Sequence, residues 1–232
     1  MNDLTIYDRY AADWWSGRYR FLRTLQNLVP ARFKYFDLVV DDWQSLSVLD
    51  LGCGGGYMAE ALCERGAKVI GLDPAQSAIG VARARSAQMN MDIDYRVGIG
   101  ESIPVESNTL DVVVCVDVLE HIPKWPEVLA EIHRVLKPGG VFLFDTINRS
   151  FFARFVAIVL GEYLLRILPV GTHDGKLFIK PKEIHKELSR LGFHVQPFKG
   201  LGPKGINRRF DITFGLLPFQ SVMYIGAAKR SA

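Results

Sequence analysis

The chain has 232 residues, of which 49% are hydrophobic and 23% charged, and its net charge is +3. This length is enough for one well-buried α/β domain and too short for a second full domain. The small net charge and the lack of a Lys/Arg block argue against nucleic acid as a partner. The three cysteines are odd in number and lack the spacing of metal ligands, so we expect Cys53, Cys63 and Cys115 to be reduced and buried.

The first 46 residues are rich in aromatic side chains and carry no export signal. They begin Met1-Asn2-Asp3-Leu4-Thr5, without the basic head and apolar core of a signal peptide, so we expect a cytoplasmic protein. The aromatic density predicts that residues 1–46 form a helical cap packed over the rest of the chain. Arg32 and Lys34, just before the first predicted strand, either meet a ligand's carboxylate or only lie on the surface of a helix.

A strand from Ser47 to Leu51 is predicted to end in a glycine-rich turn, Gly52 to Gly56, followed by a helix from Tyr57. Glycines allow a ligand to approach the main chain, and the helix directs its free N–H groups and positive dipole end at the same place. A second strand, Lys68–Asp73, ends in a carboxylate suited to a ribose diol. The sequence therefore predicts a nucleoside site.

The spacing within the turn indicates which nucleoside binds. The glycines follow the order G-x-G-G-G, not the G-x-G-x-x-G of a dinucleotide site, and no lysine or Ser/Thr follows as in a phosphate loop. Asp50 would repel a pyrophosphate, but it suits a ligand that carries an ammonium and a sulfonium. The glycines alone leave an ordinary βα turn or an NAD site open. Asp50 and Asp73, with Gly52 and Gly54 in the turn, favour a charged methyl donor.

Strands and helices alternate from 47 to 146, the predicted cofactor-binding core. This alternation predicts an α/β fold, a Rossmann-like, mostly parallel sheet of seven strands with helices on both faces. The predicted strands are Ser47–Leu51, Lys68–Asp73, Ile93–Val97, Leu110–Val116, Val141–Thr146, Phe193–Phe198 and Ser221–Ala228. Between the last two strands, Gly200 to Phe219 is predicted to be a loop over the site because glycine and proline recur in it. We expect a single domain, 1–232, whose C-terminal strands lie in 193–232.

Residues 147–192 differ in character from this core. Phe151 to Leu168 is almost continuously apolar, and its charges, Arg154, Glu162 and Arg166, fall on one stripe of a helix. Eighteen residues with three charges are too few and too polar to span a bilayer. An amphipathic helix is predicted, which contacts a membrane surface, covers the active site as a lid, or is buried in the core.

Asp117, Glu120 and His121 form the richest polar cluster at the end of the fourth predicted strand. Ligands bind outside the carboxyl ends of parallel strands, so this cluster should face the site. It suits a hard divalent cation, Mg²⁺ first, or a histidine base oriented by carboxylates. Alternatively, Glu120 and His121 only cap and shape the loop into the next helix.

The glycine motif Leu49 to Gly56 resembles the first motif of the class I S-adenosylmethionine-dependent methyltransferases. Along nearly its whole length the chain resembles one group of these, the ubiquinone-biosynthesis O-methyltransferase family. The matching segments are Trp14-Trp15, Pro30-Ala31-Arg32, Asp117 to His121, Asn148-Arg149, Gly161-Glu162-Tyr163, Gly171-Thr172-His173-Asp174 and Phe178-Ile179-Lys180-Pro181. The resemblance implies methylation of a hydroxyl on a polyprenylated catechol-like ring, with S-adenosylmethionine as the methyl donor.

The resemblance also implies roles for individual residues. Arg32 would hold the methionine carboxylate region of the cofactor, Gly52 would allow its close approach and Asp73 would bind its ribose. Val116 would lie beside the cofactor as an apolar neighbour. Ile99 stands where many methyltransferases have an aspartate toward the adenine. Adenine contact would then fall to the backbone of Gly100 and Glu101.

Asp117, Glu120 and His121 match the family's proposed divalent-metal site, with Asp117 where many members have a glutamate. In the absence of a metal, His121 or His173 would take the proton of the phenol. Glu120 and His121 are therefore the predicted catalytic residues.

Three functions remain open from the sequence. The first is methylation of the polyprenyl phenol, with membrane contact through 151–168 at the inner membrane and a place in a biosynthetic complex. The second is O- or C-methylation of another small phenol or quinone. The third is a non-catalytic, cofactor-binding scaffold, although a scaffold would not need Asp50, Asp73, Glu120 and His121 at its strand ends.

Overall fold

The computed structural model describes residues 5–164, 169 and 171–231. Predictions that fall on residues 1–4 and 165–168, including Arg166, lie outside this range. The helices are α1 (Thr5–Arg9), α2 (Arg20–Phe36), α3 (Tyr57–Cys63), α4 (Gln76–Gln88), α5 (Trp125–Val135), α6 (Phe151–Arg154), a π-helix (Phe155–Leu164) and α7 (Pro181–Arg190). Short 3₁₀ turns form at Ala11–Asp13 and Leu119–His121.

Within the described ranges, nine strands form one sheet. They are β1 (Ser47–Leu51), β2 (Lys68–Asp73), β3 (Ile93–Val97), β4 (Leu110–Cys115), β5 (Leu136–Ile147), β6 (Phe193–Val195), β7 (Lys199–Ile206), β8 (Ile212–Leu217) and β9 (Met223–Arg230). Their order is β3-β2-β1-β4-β5-β9-β7-β8, and β6 pairs with β9. The first five strands are parallel, and the last four pair antiparallel. The predicted α/β fold is confirmed, with nine strands instead of seven.

Helices cover both faces of the sheet, as predicted. Alternate residues of a strand point to opposite faces, so Val48 packs in the core beneath α2, α3 and α4, while its neighbour Leu49 packs with α5 and α7. The register sets Leu51 beside Leu72 of β2 and Cys115 of β4. The carboxyl ends of β1, β2 and β4 are therefore level at one edge of the sheet.

The prediction of a loop from Gly200 to Phe219 is wrong. These residues form the β7–β8 hairpin, which packs on α2. Glycine serves here for close packing within the strands: a Cβ at Gly200 would collide with the Phe219 carbonyl, and one at Gly202 would lie 2.7 Å from Leu217 Cδ1. The sequence prediction was wrong because the glycines and prolines of this segment were interpreted only as turn-forming residues.

The apolar segment that starts at Phe151 is helical up to Leu164, first as α6 and then as the π-helix. Ala153, Ala157 and Glu162 are buried, whereas Phe151, Phe152 and Phe155 are 89%, 54% and 43% exposed. Among the described residues, no helix combines the length and the apolar character needed to cross a bilayer.

Candidate active site

A cavity of about 470 Å³ opens at the carboxyl ends of β1, β2 and β4. It extends from the glycine turn and Asp73 on one side to Asp117 and His121 on the other. The α2 residue Arg32 also lines it. Its volume falls in the range of small-molecule sites, so a ligand of moderate size can bind between the two groups of polar residues.

The turn after β1 depends on glycine at two points. Gly52 has a φ of +78° and Gly54 a φ of +50°, both in the left-handed region. A Cβ at Gly52 would collide with the Val118 side chain, and one at Gly54 would collide with the ring of Trp14. Only glycine therefore permits both this turn and the close approach of neighbours, as the sequence predicts.

Asp73 lies at the end of β2 with its carboxylate held by the backbone. Its Oδ2 accepts a hydrogen bond from the Gly54 N–H at 2.8 Å, and its Oδ1 accepts one from the Ala75 N–H at 2.8 Å. Burial raises the pKa of Asp73, and these two hydrogen bonds oppose that shift. Each oxygen keeps a second lone pair, so the carboxylate is fixed in a position where it can still accept bonds from a diol.

Asp50 is completely buried on β1 and lines the same cavity. Neither of its oxygens has a hydrogen-bond partner of normal geometry in the described part of the chain, although the Ala59 backbone lies near enough to lower its pKa. Burial, opposed by Arg32 and aided by Asp73, raises the pKa of Asp50 to about 7. A buried carboxylate without donors favours a positively charged ligand.

The remaining residues predicted to contact the cofactor, Gly100, Glu101 and Val116, also line the cavity, next to Ile99. They lie at the rim beyond β3 and at the end of β4, on either side of the turn. The sequence-predicted cofactor residues are therefore all brought to one cavity.

Arg32 is buried and ion-paired. Its Nε donates to Asp145 Oδ2 at 2.6 Å, and its Nη2 donates to Asp117 Oδ2. Burial alone would lower the pKa of Arg32, but Asp117 and Asp145 raise it overall, so the side chain stays charged. Asp145 was missed by the sequence reasoning because it is one residue inside the predicted fifth strand. Its Oδ1 also accepts the Asp117 N–H at 2.9 Å, which fixes Asp117 at a φ of +54°.

Glu120 and His121 are both buried in the turn after β4. Glu120 Oε2 accepts a hydrogen bond from Thr146 Oγ1 at 2.8 Å, while its Oε1 has no partner within the described residues. Burial and the nearby Asp117 raise the pKa of Glu120. Burial, aided by His173, lowers the pKa of His121 to about 3. At neutral pH the imidazole of His121 is therefore uncharged, and it lines the cavity.

The three residues predicted to hold Mg²⁺ do not form a ligand set in this arrangement. Asp117 is engaged by Arg32. Within 5–164, 169 and 171–231, no three His, Cys, Asp or Glu side chains converge closely enough to bind a metal ion. The geometry therefore offers a neutral imidazole at the rim, and the Mg²⁺ site stays a prediction.

Glu162 and His173 form a buried pair that extends this rim. Glu162 Oε1 lies 3.0 Å from His173 Nδ1 and accepts the His173 backbone N–H at 3.0 Å, and its Oε2 accepts the Gly171 N–H at 2.7 Å. The His173 ring stacks on His121, with the ring centroids 5.3 Å apart. The sequence marked Glu162 as a charge on the amphipathic helix and His173 as an alternative base, but no local pattern connects either residue to His121.

Two aromatic residues of the N-terminal segment also line the cavity, Tyr7 and Trp14. The Trp14 ring lies over Gly54 and Gly55, and the neighbouring Trp15 donates its Nε1–H to the Gly55 carbonyl at 2.9 Å. Burial raises the pKa of Tyr7, and Asp117 and Glu120 raise it further, so its hydroxyl is protonated. The aromatic density of 1–46 predicted a cap, but not that these side chains would reach the site.

A family model described as a methyltransferase domain matches residues 49–144. The ubiquinone biosynthesis O-methyltransferase of Acinetobacter baumannii (strain AYE) is 34% identical over 212 residues, which cover 90% of this chain and 89% of the relative. The protein of the same name from Bartonella quintana (strain Toulouse) is 36% identical over 241 residues, 99% of this chain and 96% of the relative.

Among solved structures, the magnesium protoporphyrin IX methyltransferase of Synechocystis PCC 6803 with bound SAH is similar, with a TM-score of 0.70. It is 18% identical, and the match covers 99% of this chain and 100% of that one. This likeness concerns the fold.

Proposed function

Because the chain belongs to the ubiquinone biosynthesis O-methyltransferase family, we propose that its cavity methylates a hydroxyl of a polyprenylated catechol-like ring. The chain is an S-adenosylmethionine-dependent O-methyltransferase. The observation that carries the proposal is the cavity itself, because it joins the Asp50–Gly52–Asp73 side to the Asp117–His121 side in one space. A methyl donor and a phenol can meet there at the distance that in-line transfer requires.

On the donor side, the residues fit the cofactor. S-adenosylmethionine supplies, when bound, an electrophilic methyl group on a positively charged sulfur. The unpartnered carboxylate of Asp50 suits such a cation, and Asp73 is already oriented by two backbone N–H groups to accept the ribose diol. Gly52 leaves room for the ligand at the turn. We therefore assign cofactor binding to these three residues, together with Gly54, Gly100, Glu101 and Val116.

Arg32 has a different role in this proposal. Its guanidinium is ion-paired with Asp117 and Asp145, so it holds the end of β4 against β5 and gives positive charge to the cavity wall. A ligand carboxylate can approach that charge without displacing either pair, because the Nη1 group makes neither bond. Arg32 thus supports both the cofactor and the acidic rim.

On the acceptor side, we propose that His121 accepts the proton of the phenol. It is uncharged at neutral pH, lines the cavity and is stacked on His173. Glu120 is buried beside it with one free oxygen. Apolar and aromatic side chains, Tyr7 and Trp14 of the cap among them, also line the cavity, and we expect them to limit the water beside the phenol oxygen in the bound complex. Since Asp117, Glu120 and His121 do not converge on a metal position, no step is assigned to a metal ion.

The polyprenyl tail needs an apolar environment, and we propose that the exposed phenylalanine cluster, Phe151, Phe152 and Phe155, contacts the membrane that holds it. All three rings are exposed, and Phe151, at 89%, is the most exposed large apolar side chain among the described residues. Burial of apolar surface stabilises by about 25 cal/mol per Å², so three rings are sufficient for reversible attachment. A peripheral position at the inner membrane follows.

The test is methyl transfer from labelled S-adenosylmethionine to a panel of short-chain prenyl catechols, each assayed with and without a chelator. We expect the product to be a labelled methyl ether, formed at the same rate with and without the chelator. Prenylated rings should react faster than unprenylated ones. Label on a ring carbon, or equal rates with unprenylated phenols, would favour another small phenol or quinone as substrate. Loss of all turnover with the chelator would instead support the predicted metal site at Asp117, Glu120 and His121.

A further inference from the structure

We propose that the tip of the β7–β8 hairpin, residues 204–210, docks on an anionic phospholipid surface. This inference deepens the proposed function, on which it rests for the lipid nature of the substrate. The hairpin tip is separate in sequence from the exposed phenylalanine cluster, and it lies beside the N-terminal cap.

The first observation is an accumulation of positive charge without direct ion pairs. Arg208 and Arg209 of the hairpin tip are exposed, and so are Arg18 and Arg20 next to them. Arg20 Nη2 donates to the Phe210 carbonyl at 3.3 Å, which joins the two groups. None of the four arginines forms an ion pair among the residues that the structure describes. The whole chain carries a net charge of only +3, so this cluster is a local concentration of charge.

The nearest acid in the sequence, Asp211, offsets only part of the charge of the cluster, through an electrostatic interaction with Arg20. Asp211 is buried and bonded to Arg23, whose Nε and Nη2 lie 2.8 and 2.9 Å from its two oxygens. Arg23 also donates to the carbonyls of Gly17 and Arg18. One part-buried ion pair thus connects the hairpin to the turn that precedes α2, while Arg18, Arg20, Arg208 and Arg209 are exposed.

The second observation is an exposed aromatic ring between these charges. Phe210 is 80% exposed and has a φ of +58°, a conformation that bulky residues rarely adopt. The turn is fixed by Asn207, whose carbonyl accepts the Phe210 N–H at 3.0 Å and whose Oδ1 accepts the Asp211 N–H at 3.0 Å. Ile206 on the same tip is 68% exposed. The fold therefore holds two apolar side chains out toward solvent in a strained turn.

Arginines around an exposed aromatic ring match the interface of an anionic bilayer. The charges are attracted to the headgroups, and the rings insert at the boundary of headgroup and acyl chain. An acidic protein would satisfy the charges alone, but it would not require the strained, projecting Phe210. Because Arg23 connects the tip to the Gly17–Arg18 turn within the cap, docking brings the cap close to the bilayer.

The proposal is tested by vesicle flotation of the full chain without methyl acceptor, on phosphatidylcholine alone and on phosphatidylglycerol-rich vesicles. Each arginine near an anionic surface contributes about fivefold in binding. The Arg208→Glu, Arg209→Glu variant should therefore lose binding to phosphatidylglycerol-rich vesicles by at least about 25-fold. The Phe210→Ser variant should weaken binding several-fold, with the arginines still present.

The matched control is Lys182→Glu, Lys186→Glu, which makes the same change in net charge on α7, on the opposite face of the sheet. It should leave vesicle binding within about twofold, because its charges do not face the bilayer. Turnover of a soluble short-chain catechol should stay at the wild-type rate in all variants, which separates failure of docking from failure of the proposed reaction. Equal binding of wild type and the arginine variant, or equal loss in the control, overturns the proposal and favours an acidic protein or no partner at the tip.

Discussion

Asp50 and His121 show how burial changes the charge of side chains in this cavity. An exposed aspartate is ionised at neutral pH, but burial without donors raises the pKa of Asp50 to about 7. An exposed histidine is partly protonated, but burial lowers the pKa of His121 to about 3. Near neutral pH, His121 is therefore uncharged and Asp50 is divided between its neutral and ionised forms, a balance that a cation bound beside Asp50 shifts.

The first prediction concerns proton release on cofactor binding. A cationic ligand stabilises ionised Asp50 and lowers its pKa below about 7, so binding near or below pH 7 releases a proton. Affinity for S-adenosylmethionine should rise as the pH rises toward 7 and level off above it. Calorimetry in buffers of different ionisation enthalpy measures this release directly.

The Asp50→Asn variant should bind S-adenosylmethionine about tenfold more weakly and without proton release. Asp94→Asn changes an acid on β3 that is exposed and paired with Arg96, so it serves as the control and should keep the wild-type pH dependence. The same pH profile in Asp50→Asn and wild type would assign the proton to another group.

The second prediction tests whether Glu120 and His121 take part in catalysis or only shape the loop at the rim. Glu120→Ala and His121→Ala should each lower kcat by at least about 100-fold, because proton transfer typically contributes that much. The dissociation constant of S-adenosylmethionine should stay close to wild type, since neither residue belongs to the Asp50–Asp73 side. Glu127→Ala, an exposed residue paired with Lys124, is the control. If cofactor affinity falls as much as turnover does, the two residues only shape the loop.

At the scale of elements, the π-helix and the loop after it act together through Glu162. The carboxylate accepts bonds from Gly171 and His173 and so holds the His173 ring against His121. Glu162 is 1% exposed, so these bonds are not exchanged with water. The segment that bears the exposed phenylalanine cluster is thereby connected to the acceptor side of the cavity.

The third prediction follows from this connection. Glu162→Gln keeps the size of the side chain but weakens the charge-assisted bonds, so kcat should fall by on the order of tenfold and the KM for the acceptor should rise. Cofactor affinity should not change. Glu187→Gln on α7, which breaks an exposed pair with Arg190, should alter none of these constants. A wild-type kcat in Glu162→Gln would show that the position of His173 does not matter for turnover.

The fourth prediction tests the phenylalanine cluster. Phe151→Asp, Phe155→Asp should abolish flotation on neutral vesicles, because charged residues cannot insert where the rings do, and should only weaken flotation on anionic vesicles, where the hairpin tip still binds. This separates the cluster from the hairpin tip, whose effect requires anionic lipid. Leu38→Asp, Met89→Asp replaces two other exposed apolar side chains and should float like wild type. Unchanged flotation of the Phe151→Asp, Phe155→Asp variant would favour the alternative in which this helix covers the active site as a lid.

Sequence patterns predicted the elements best where one cause determines them. The buried strand, glycine turn and helix at 47–63 were predictable because glycine is needed there for the turn itself. At Gly200 and Gly202 glycine is needed because a neighbouring strand approaches, and that neighbour is not visible in the local sequence. The hairpin was therefore predicted to be a loop.

At the scale of the molecule, the sheet order explains why most of the cavity could be predicted and its ion pairs could not. Strand ends meet at one edge in any parallel sheet, so Asp50, Asp73 and Asp117 were expected there. The Arg32 pairs join residues 113 and 85 positions apart in the chain, and such pairings depend on the packing of α2. Charge type predicts that a buried arginine needs partners, but not which ones.

The last prediction concerns the cap as a whole. Trp14 lies over the glycine turn and lines the cavity, and the Tyr57 hydroxyl donates to its carbonyl, so the cap must move before a cofactor can reach Gly54. If the ligand binds only when the cap is closed, it divides the population of molecules with an open cap by 1 + [L]/Kd, where [L] is the ligand concentration. At a ligand concentration of about 100 times Kd, this factor is about 100-fold. Tryptic cleavage after the exposed Arg18 should slow by this factor when S-adenosylhomocysteine is added.

Cleavage after Arg190, at the end of α7 on the other face of the sheet, is the internal control and should slow much less. The Trp14→Ala variant should lose the ligand protection at Arg18, because the ring no longer connects the cap to the turn. Protection of equal size at both bonds would mean that the ligand stabilises the entire chain, and the cap would then move only with global unfolding. A cleavage rate at Arg18 that does not respond to ligand would mean that the cap opens while the cofactor stays bound.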